Sequence, residues 1–292
     1  MRKFGHSLVS ALLVAGQHLS ACSVFFAFDG KSALAGDNED YFDRPYTQVW
    51  TIPRTENSYG TIYFGFGRGA YPAGGVEATE RIRQAMAGVY GVSQLNAEDT
   101  YGLPMQGMNE KGLFCGAAQT ETVLQAWSHP STPKVEADVT DSILRHAASV
   151  RDALLLLERN NFWLPEGNLL CADASGDSFV LEAGGVVIPG GGGYQIATNF
   201  LQSLHPGQKR LDQRYRILSG RLRDTPELSA DLIRSLLEAV QQDTTQYSLV
   251  FDLTHLTVQV YQRRQFGRAA TIRLIEELTQ GPRAAQISSL FE

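Results

Sequence analysis

Residues 22–40 read CSVFFAFDGKSALAGDNED, and this stretch decides the fold. It holds two runs suited to β-strands, CSVFFAF and KSALAGDN, joined by Asp29-Gly30. An Asp-Gly pair between such runs is a strong hairpin signal, because the two central residues of the tight turn take positive φ. With a two-residue turn, Phe28 faces Lys31 and Cys22 faces Asp37. Asp40 then lies one short step past the strand end. The register gathers a thiol and the acidic segment GDNED (36–40) at one end of a hairpin.

The residues before Cys22, MRKFGHSLVSALLVAGQHLSA, have a basic tip at Arg2 and Lys3 and an apolar middle from Leu8 to Gly16. Small residues, Ser20 and Ala21, stand just before the cysteine. That is the layout of a bacterial export signal, whose apolar run is too short to span a bilayer. Residues 1–21 are therefore expected to be a cleaved leader, and 22–292 the exported protein, periplasmic or secreted. Cleavage after Ala21 makes Cys22 the first residue, with its own α-amine. An α-amine titrates near about pH 8 and a free thiol near about 8.5, so the amine is a plausible base for its own thiol.

The 292-residue chain is 43% hydrophobic, 10% aromatic and 19% charged, an ordinary globular composition. Its net charge is −6, and losing Arg2 and Lys3 makes the remainder more acidic still. An acidic chain without a basic run is a poor partner for nucleic acid or an anionic membrane. After the leader, no apolar run is long enough for a membrane helix. Its six histidines are scattered and no C-x-x-C occurs, so neither a metal nor another cofactor is expected. Cys115 and Cys171 lie in strand-like apolar stretches. They read as separate buried cysteines, with a disulfide between them as the alternative.

Further strands are expected at 47–53, 60–66, 112–118, 168–173, 178–183 and 194–198. Helices are expected over 77–90, through ILRHAASVRDALLLLER with a break near Ser149, and over 208–222 and 229–241. Thr140 or Asp141 can cap the second of these, and Ser229 the last. The segment 91–106 reads as an excursion rich in turn formers, and GGVVIPGGGG (184–193) as a long turn without phosphate-loop chemistry. YSLVFDL and LTVQVY close the chain as a strand pair around Thr254-His255. Strands, then helices, then strands again indicate an α+β fold in one domain. The aromatics Tyr63, Phe64, Phe66, Tyr71, Tyr90 and Tyr101 read first as core, with an acyl pocket as the alternative.

ACSVFFAFDGKSALAGDNEDYFD resembles the start of the cysteine N-terminal nucleophile (Ntn) hydrolases of the choloylglycine hydrolase and penicillin V acylase family. The resemblance continues in order through GMNEKGLF (107–114), ADASGDSFVLEA (172–183), ATNF (197–200), LDQRYRIL (211–218) and YSLVFDLTHLTVQVY (247–261). It implies a four-layer αββα sandwich of antiparallel sheets and hydrolysis of a non-peptide linear C–N amide bond in a small N-acyl substrate. It also implies a homo-oligomer, tetrameric in the family. Cys22 falls on the nucleophile, whose sulfur attacks the carbonyl to give a thioester that water resolves. Asp40 falls on the aspartate that holds the α-amine. Asn199 falls on an oxyanion donor, and Arg214, with Arg210, Arg216 and Arg221 nearby, on a cation that favours thiolate. GMNEKGL reads as structural, its glycines and Asn109 shaping a tight turn.

Two positions depart from the family pattern. Asp37 stands where the bile-salt and penicillin V hydrolases carry arginine, and a carboxylate facing a thiol raises its pKa where arginine lowers it. The other oxyanion donor, a backbone N–H, falls on Gln119 or Ala118, in place of an asparagine. Both put the substrate in question more than the reaction.

Two rival readings use the same cysteine. Leu19-Ser20-Ala21-Cys22 also fits a lipoprotein signal, which would lipidate Cys22 and leave an anchored binding module. Against it, the chain enters an apolar strand at once instead of a polar tether. An acyltransferase would resolve the same thioester with an amine in place of water.

Overall fold

The computed structural model describes residues 22–41, 47–66, 103–122, 138–160, 162, 166–182, 185–191, 193–225 and 227–292. The leader, the helix expected over 77–90, and Tyr71, Tyr90 and Tyr101 lie outside them. Two antiparallel sheets form the centre. The first runs β10 (Tyr194–Ala197), β1 (Ser23–Phe28), β2 (Ala33–Asp40), β11 (Thr245–Asp252), β12 (Thr257–Gln262), β13 (Ala270–Arg273). The second runs β14 (Arg283–Gln286), β3 (Thr47–Ile52), β4 (Thr61–Phe66), β5 (Leu103–Asn109), β6 (Phe114–Thr122), β7 (Glu166–Ala172), β8 (Ser178–Glu182), β9 (Val186–Pro189).

Alternation along the strands explains why the sheets are covered on both faces. In β1, Val24 and Phe26 join Phe64, Met108, Phe114, Tyr247 and Phe251 between the sheets. Phe25 and Ala27 point the other way, onto Leu218 and Leu222 of α4 (Gln213–Arg223) and Ile233, Leu236 and Leu237 of α5 (Ala230–Val240). The second sheet's outer face, with Tyr63, Leu169 and Phe179, is covered by α1 (Val139–His146) and α2 (Val150–Arg159). The order of layers is therefore helix, sheet, sheet, helix, the expected αββα sandwich. Two shorter helices, α3 (Gln208–Leu211) and α6 (Leu274–Leu278), lie outside this scheme. Among the described residues no helix is long and apolar enough to cross a membrane.

Local capping follows the chemistry of the sequence, with one shift. Ser149 accepts from the Asp152 N–H and starts α2 after the expected break, and Ser229 accepts from the Leu232 N–H to start α5. The cap of α1 is Asp138, ahead of both Thr140 and Asp141, and it accepts from the Asp141 N–H at 2.8 Å.

The opening hairpin departs from expectation. Phe28 pairs with Ala33, not Lys31, so residues 29–32 form the connection. The reason is the Asp29 side chain, whose Oδ1 accepts from the N–H groups of Lys31 (2.9 Å) and Ser32 (2.8 Å). Asx-type bonding of this kind closes a longer loop than the two-residue turn. Gly30, at φ +92°, supplies the left-handed step within it. The register moves by two residues, which keeps every side chain on its expected face. Asp37 consequently faces Val24, Asn38 faces Ser23, and continuing that register one step more sets Glu39 against Cys22, their side chains 3.8 Å apart.

Three other expectations are corrected. Cys115 and Cys171 are directly paired across β6 and β7, with Cα atoms 4.2 Å apart, and form a disulfide. Residues 103–109, placed partly in an excursion, form strand β5. Within 184–193, Val186–Pro189 form edge strand β9.

Candidate active site

Cys22 sits immediately before β1 and is 1% exposed. Its thiol points between the sheets, where Sγ donates to Glu39 Oε1 and to the Asp40 carbonyl, each at 3.8 Å. Burial pushes the thiol up, and the carboxyls of Glu39, Asp40 and Asp37 push it further.

Those three carboxyls come from β2, and all are buried. Glu39 Oε2 accepts from Gln106 Nε2 at 2.6 Å, and the same nitrogen lies 3.2 Å from Asp37 Oδ1. Gln106 Oε1 in turn accepts from the Tyr247 hydroxyl at 2.8 Å. One amide from the second sheet thus bridges two carboxyls of the first, and Tyr247 fixes which way the amide points. Burial raises Glu39 to about 8, against the Gln106 hydrogen bond, which lowers it. Burial, with Glu39 and Asp40 nearby, raises Asp37 well above the usual carboxylate range. Asp37 Oδ2 has no hydrogen-bond partner. It reaches the second sheet at Gly116, where an added Cβ would stand 2.8 Å from it.

Asp40 projects to the other face of β2. Its Oδ1 accepts from the Thr245 hydroxyl, and its Oδ2 has no hydrogen-bond partner. Burial raises it to about 7, opposed by the Thr245 bond and the Arg214 charge.

Arg214 links the main chain of Cys22 to Asn199. Asn199 follows β10, the neighbour of β1, and Arg214 lies in the first turn of α4, which Asp212 caps. Arg214 Nη1 donates to the Cys22 carbonyl at 2.7 Å and to Ser23 Oγ at 3.2 Å. Its Nη2 donates to Asn199 Oδ1 at 2.9 Å. With Oδ1 so held, Asn199 turns its Nδ2 outward and donates to the Gln119 carbonyl at 2.7 Å. Arg214 therefore orients the amide as well as adding charge. The four residues singled out from sequence, together with Gln119, are brought to one place.

Asn109 is structural, as expected. Its Nδ2 donates to the carbonyls of Leu144 and Ala147, both at 2.8 Å, and its Oδ1 accepts from the Lys111 and Leu113 N–H groups. It ties the β5–β6 turn to the end of α1. Gln106, Tyr247 and Thr245 escaped the sequence reading. The signal they carry is a polar atom at an inward position of an otherwise apolar strand.

Two stacked antiparallel sheets, helices on both outer faces and a cysteine opening a central strand define the Ntn-hydrolase fold. Solved amide hydrolases share it. Penicillin V acylase from Agrobacterium tumefaciens aligns over 88% of this chain and 88% of its own, at TM-score 0.59 and 16% identity. A variant of conjugated bile acid hydrolase from Clostridium perfringens aligns over 91% of this chain and 96% of its own, at TM-score 0.59 and 13% identity. The Caenorhabditis elegans ortholog of N-acylethanolamine-hydrolyzing acid amidase aligns over 80% and 93%, at TM-score 0.52 and 12% identity. Likeness at such identities is likeness of fold. No family model and no curated protein matches the chain.

Proposed function

We propose that the protein hydrolyses a linear C–N amide bond in a small N-acyl substrate, with Cys22 as nucleophile. The observation that carries this reading is Arg214 joining the Cys22 carbonyl to the Asn199 amide, in a chain with the fold of amide hydrolases. Removal of residues 1–21 would expose the Cys22 α-amine. Asp40, whose Oδ2 has no hydrogen-bond partner, is the carboxyl suited to hold that ammonium. The thiolate attacks the carbonyl carbon, the amine leaves, and water resolves the thioester. The Asn199 amide and a backbone N–H of 118–119 serve as donors to the oxyanion, a contribution of about 2.7–4 kcal/mol per donor in measured enzymes.

Two further observations support parts of this reading. A thiol 1% exposed and turned into the core favours a nucleophile over a lipid anchor. The Cys115–Cys171 disulfide favours an exported protein, since such bonds persist in oxidising compartments.

The test is release of amine from a panel of penicillin V, glycine- and taurine-conjugated bile salts, acyl-homoserine lactones and N-acylethanolamines. The expected result is turnover of at least one class by the wild type and none by Cys22→Ala, which folds. Retained turnover in Cys22→Ala overturns the proposal. So does a diacylglyceryl adduct on Cys22 in the mass spectrum. Transfer to an added amine exceeding hydrolysis would make the enzyme an acyltransferase.

A further inference from the structure

Asn199 lies beyond the end of β10, outside the sheet, yet the proposed reaction needs its amide in one place. The Phe200 N–H donates back to the Thr198 carbonyl at 2.9 Å, closing a three-residue turn centred on Asn199. A buried amide from the other sheet grips this turn on both sides. Asn168 of β7 donates from Nδ2 to the Thr198 carbonyl at 2.8 Å and to the Phe200 carbonyl at 3.0 Å. We infer that Asn168 is a positioning residue for the oxyanion site, fixing Asn199 relative to the backbone donor of 118–119.

The surroundings of Asn168 support this. It shares a strand face with Leu170 and Ala172, which pack between the sheets, so an apolar side chain would suit the position. The amide instead buries an oxygen, Oδ1, that has no hydrogen-bond partner, and such an oxygen costs stability. Both hydrogens of its Nδ2 go to the carbonyls that flank Asn199, so the turn is what the amide serves.

The same stretch of β7 carries the segment with the other donor. Asn168 pairs with Ala118 across the β6–β7 ladder, and the register breaks beyond it, between Ala118 and Thr122. Within that break the Thr120 hydroxyl accepts from the Gly167 N–H at 2.9 Å. The main chain of 167–168 thus anchors 118–120, while the Asn168 side chain reaches across to 198–200.

This arrangement decides where the Asn199 amide points. Arg214 holds its Oδ1, and the Gln119 carbonyl takes one hydrogen of its Nδ2. The direction of the second hydrogen then depends on where the Asn199 main chain stands. Misplacing such a group by about 1 Å can cost on the order of 100-fold in rate. Full negative charge on the oxygen develops only in the transition state, so the loss falls on kcat and spares KM. With both amide hydrogens on the turn, Asn168 donates nothing to Cys22, and thiol reactivity should not depend on it.

The inference rests on the hydrolase reading above. The experiment measures kcat and KM for wild type, Asn168→Leu, Asn199→Ala and the double variant, on the panel substrate the wild type cleaves fastest. Alkylation of Cys22 by iodoacetamide, a displacement that forms no oxyanion, is followed in parallel. Asn168→Leu keeps the β6–β7 main-chain pairing and releases only Asn199. It should lower kcat by about tenfold or more, with KM and the alkylation rate within about threefold of wild type. Added to Asn199→Ala, it should lower kcat by less than about threefold, because the donor it places is already gone. An unchanged kcat in Asn168→Leu overturns the inference alone. So does a loss of equal size in both backgrounds, or alkylation slowed as much as turnover. A wild type that cleaves nothing overturns it together with the hydrolase reading. If Asn168→Leu does not fold, Asn168→Ala decides by the same criteria.

Discussion

Tyr247 and Phe251 stand on the same face of β11, both wholly buried between the sheets, and their surroundings are opposite. Phe251 packs against Phe114, ring centroids 4.7 Å apart, and edge-on to Phe64 at 5.8 Å. Tyr247 donates its hydroxyl into the Gln106–Glu39–Asp37 network beside the thiol. The change repeats on β2, which gives Ala33 and Ala35 to the first region and Asp37 and Glu39 to the second. One interior layer thus has an apolar half that stabilises at any pH and a polar half whose contribution depends on protons.

The largest effect expected from this contrast is in the apolar half. Phe251→Ala should lower stability by about 3–5 kcal/mol, the usual loss for a buried aromatic. Urea midpoints should shift equally at pH 5 and pH 8, because the rings it packs against, Phe64 and Phe114, do not titrate. A loss that differs strongly between the two pH values would join the halves that the geometry separates.

In the polar half the sign follows from the raised carboxyls. Unfolded, Glu39 and Asp40 ionise near their ordinary values of about 4, whereas folded they hold protons to about 8 and about 7. Between those limits the folded state binds more protons, so stability falls as pH rises. Tm should fall by several degrees from pH 5 to pH 8, since about 1 kcal/mol moves Tm by roughly 2–4 °C in a chain of this size. Asp37→Asn removes one of the raised groups and should flatten the fall, as differential scanning calorimetry across that range would show. A wild-type Tm that is level from pH 5 to pH 8 contradicts the picture.

The two halves were unequally legible in the sequence. Alternating apolar residues announced β1, β2 and β11, and with them the apolar half and the layer order. Cys22 and Asp37 were correctly assigned to one face, because face depends only on the period of two. Which acid opposes the thiol was not readable, since it turns on the hydrogen bonds of Asp29 inside the connection. The order of short motifs brought Asn199 and Arg214 into the site. That Arg214 orients the Asn199 amide emerges only once α4 docks against β1. Gln106 passed unnoticed because a lone glutamine inside LPMQGMN resembles a surface residue until β5 is placed at the centre of a covered sheet. The disulfide depended likewise on the β6–β7 register, which joins segments 56 residues apart.

The smallest effect belongs to the turn that sets the register. Asp29 Oδ1 holds the Lys31 and Ser32 N–H groups, and its Oδ2 accepts from the Leu228 N–H at 2.9 Å, tying the hairpin tip to the approach of α5. These bonds, to Ser32 first and then Leu228 and Lys31, lower its pKa. Its contribution is therefore complete above the ordinary aspartate value of about 4 and disappears as pH falls through the lowered folded value. Asp29→Ala should lower stability by about 1 kcal/mol at pH 7, because water can replace the lost acceptor at a partly exposed turn. The difference from wild type should shrink toward pH 2, opposite in direction and separate in range from the fall driven by the buried carboxyls. Turnover should change less than threefold. The β2–β11 pairing and the buried Val24 and Phe26 keep the β1–β2 register without the turn, so Glu39 stays opposite Cys22. A large loss of turnover in a folded Asp29→Ala protein would instead mean that the register at Cys22 slips once the turn is lost.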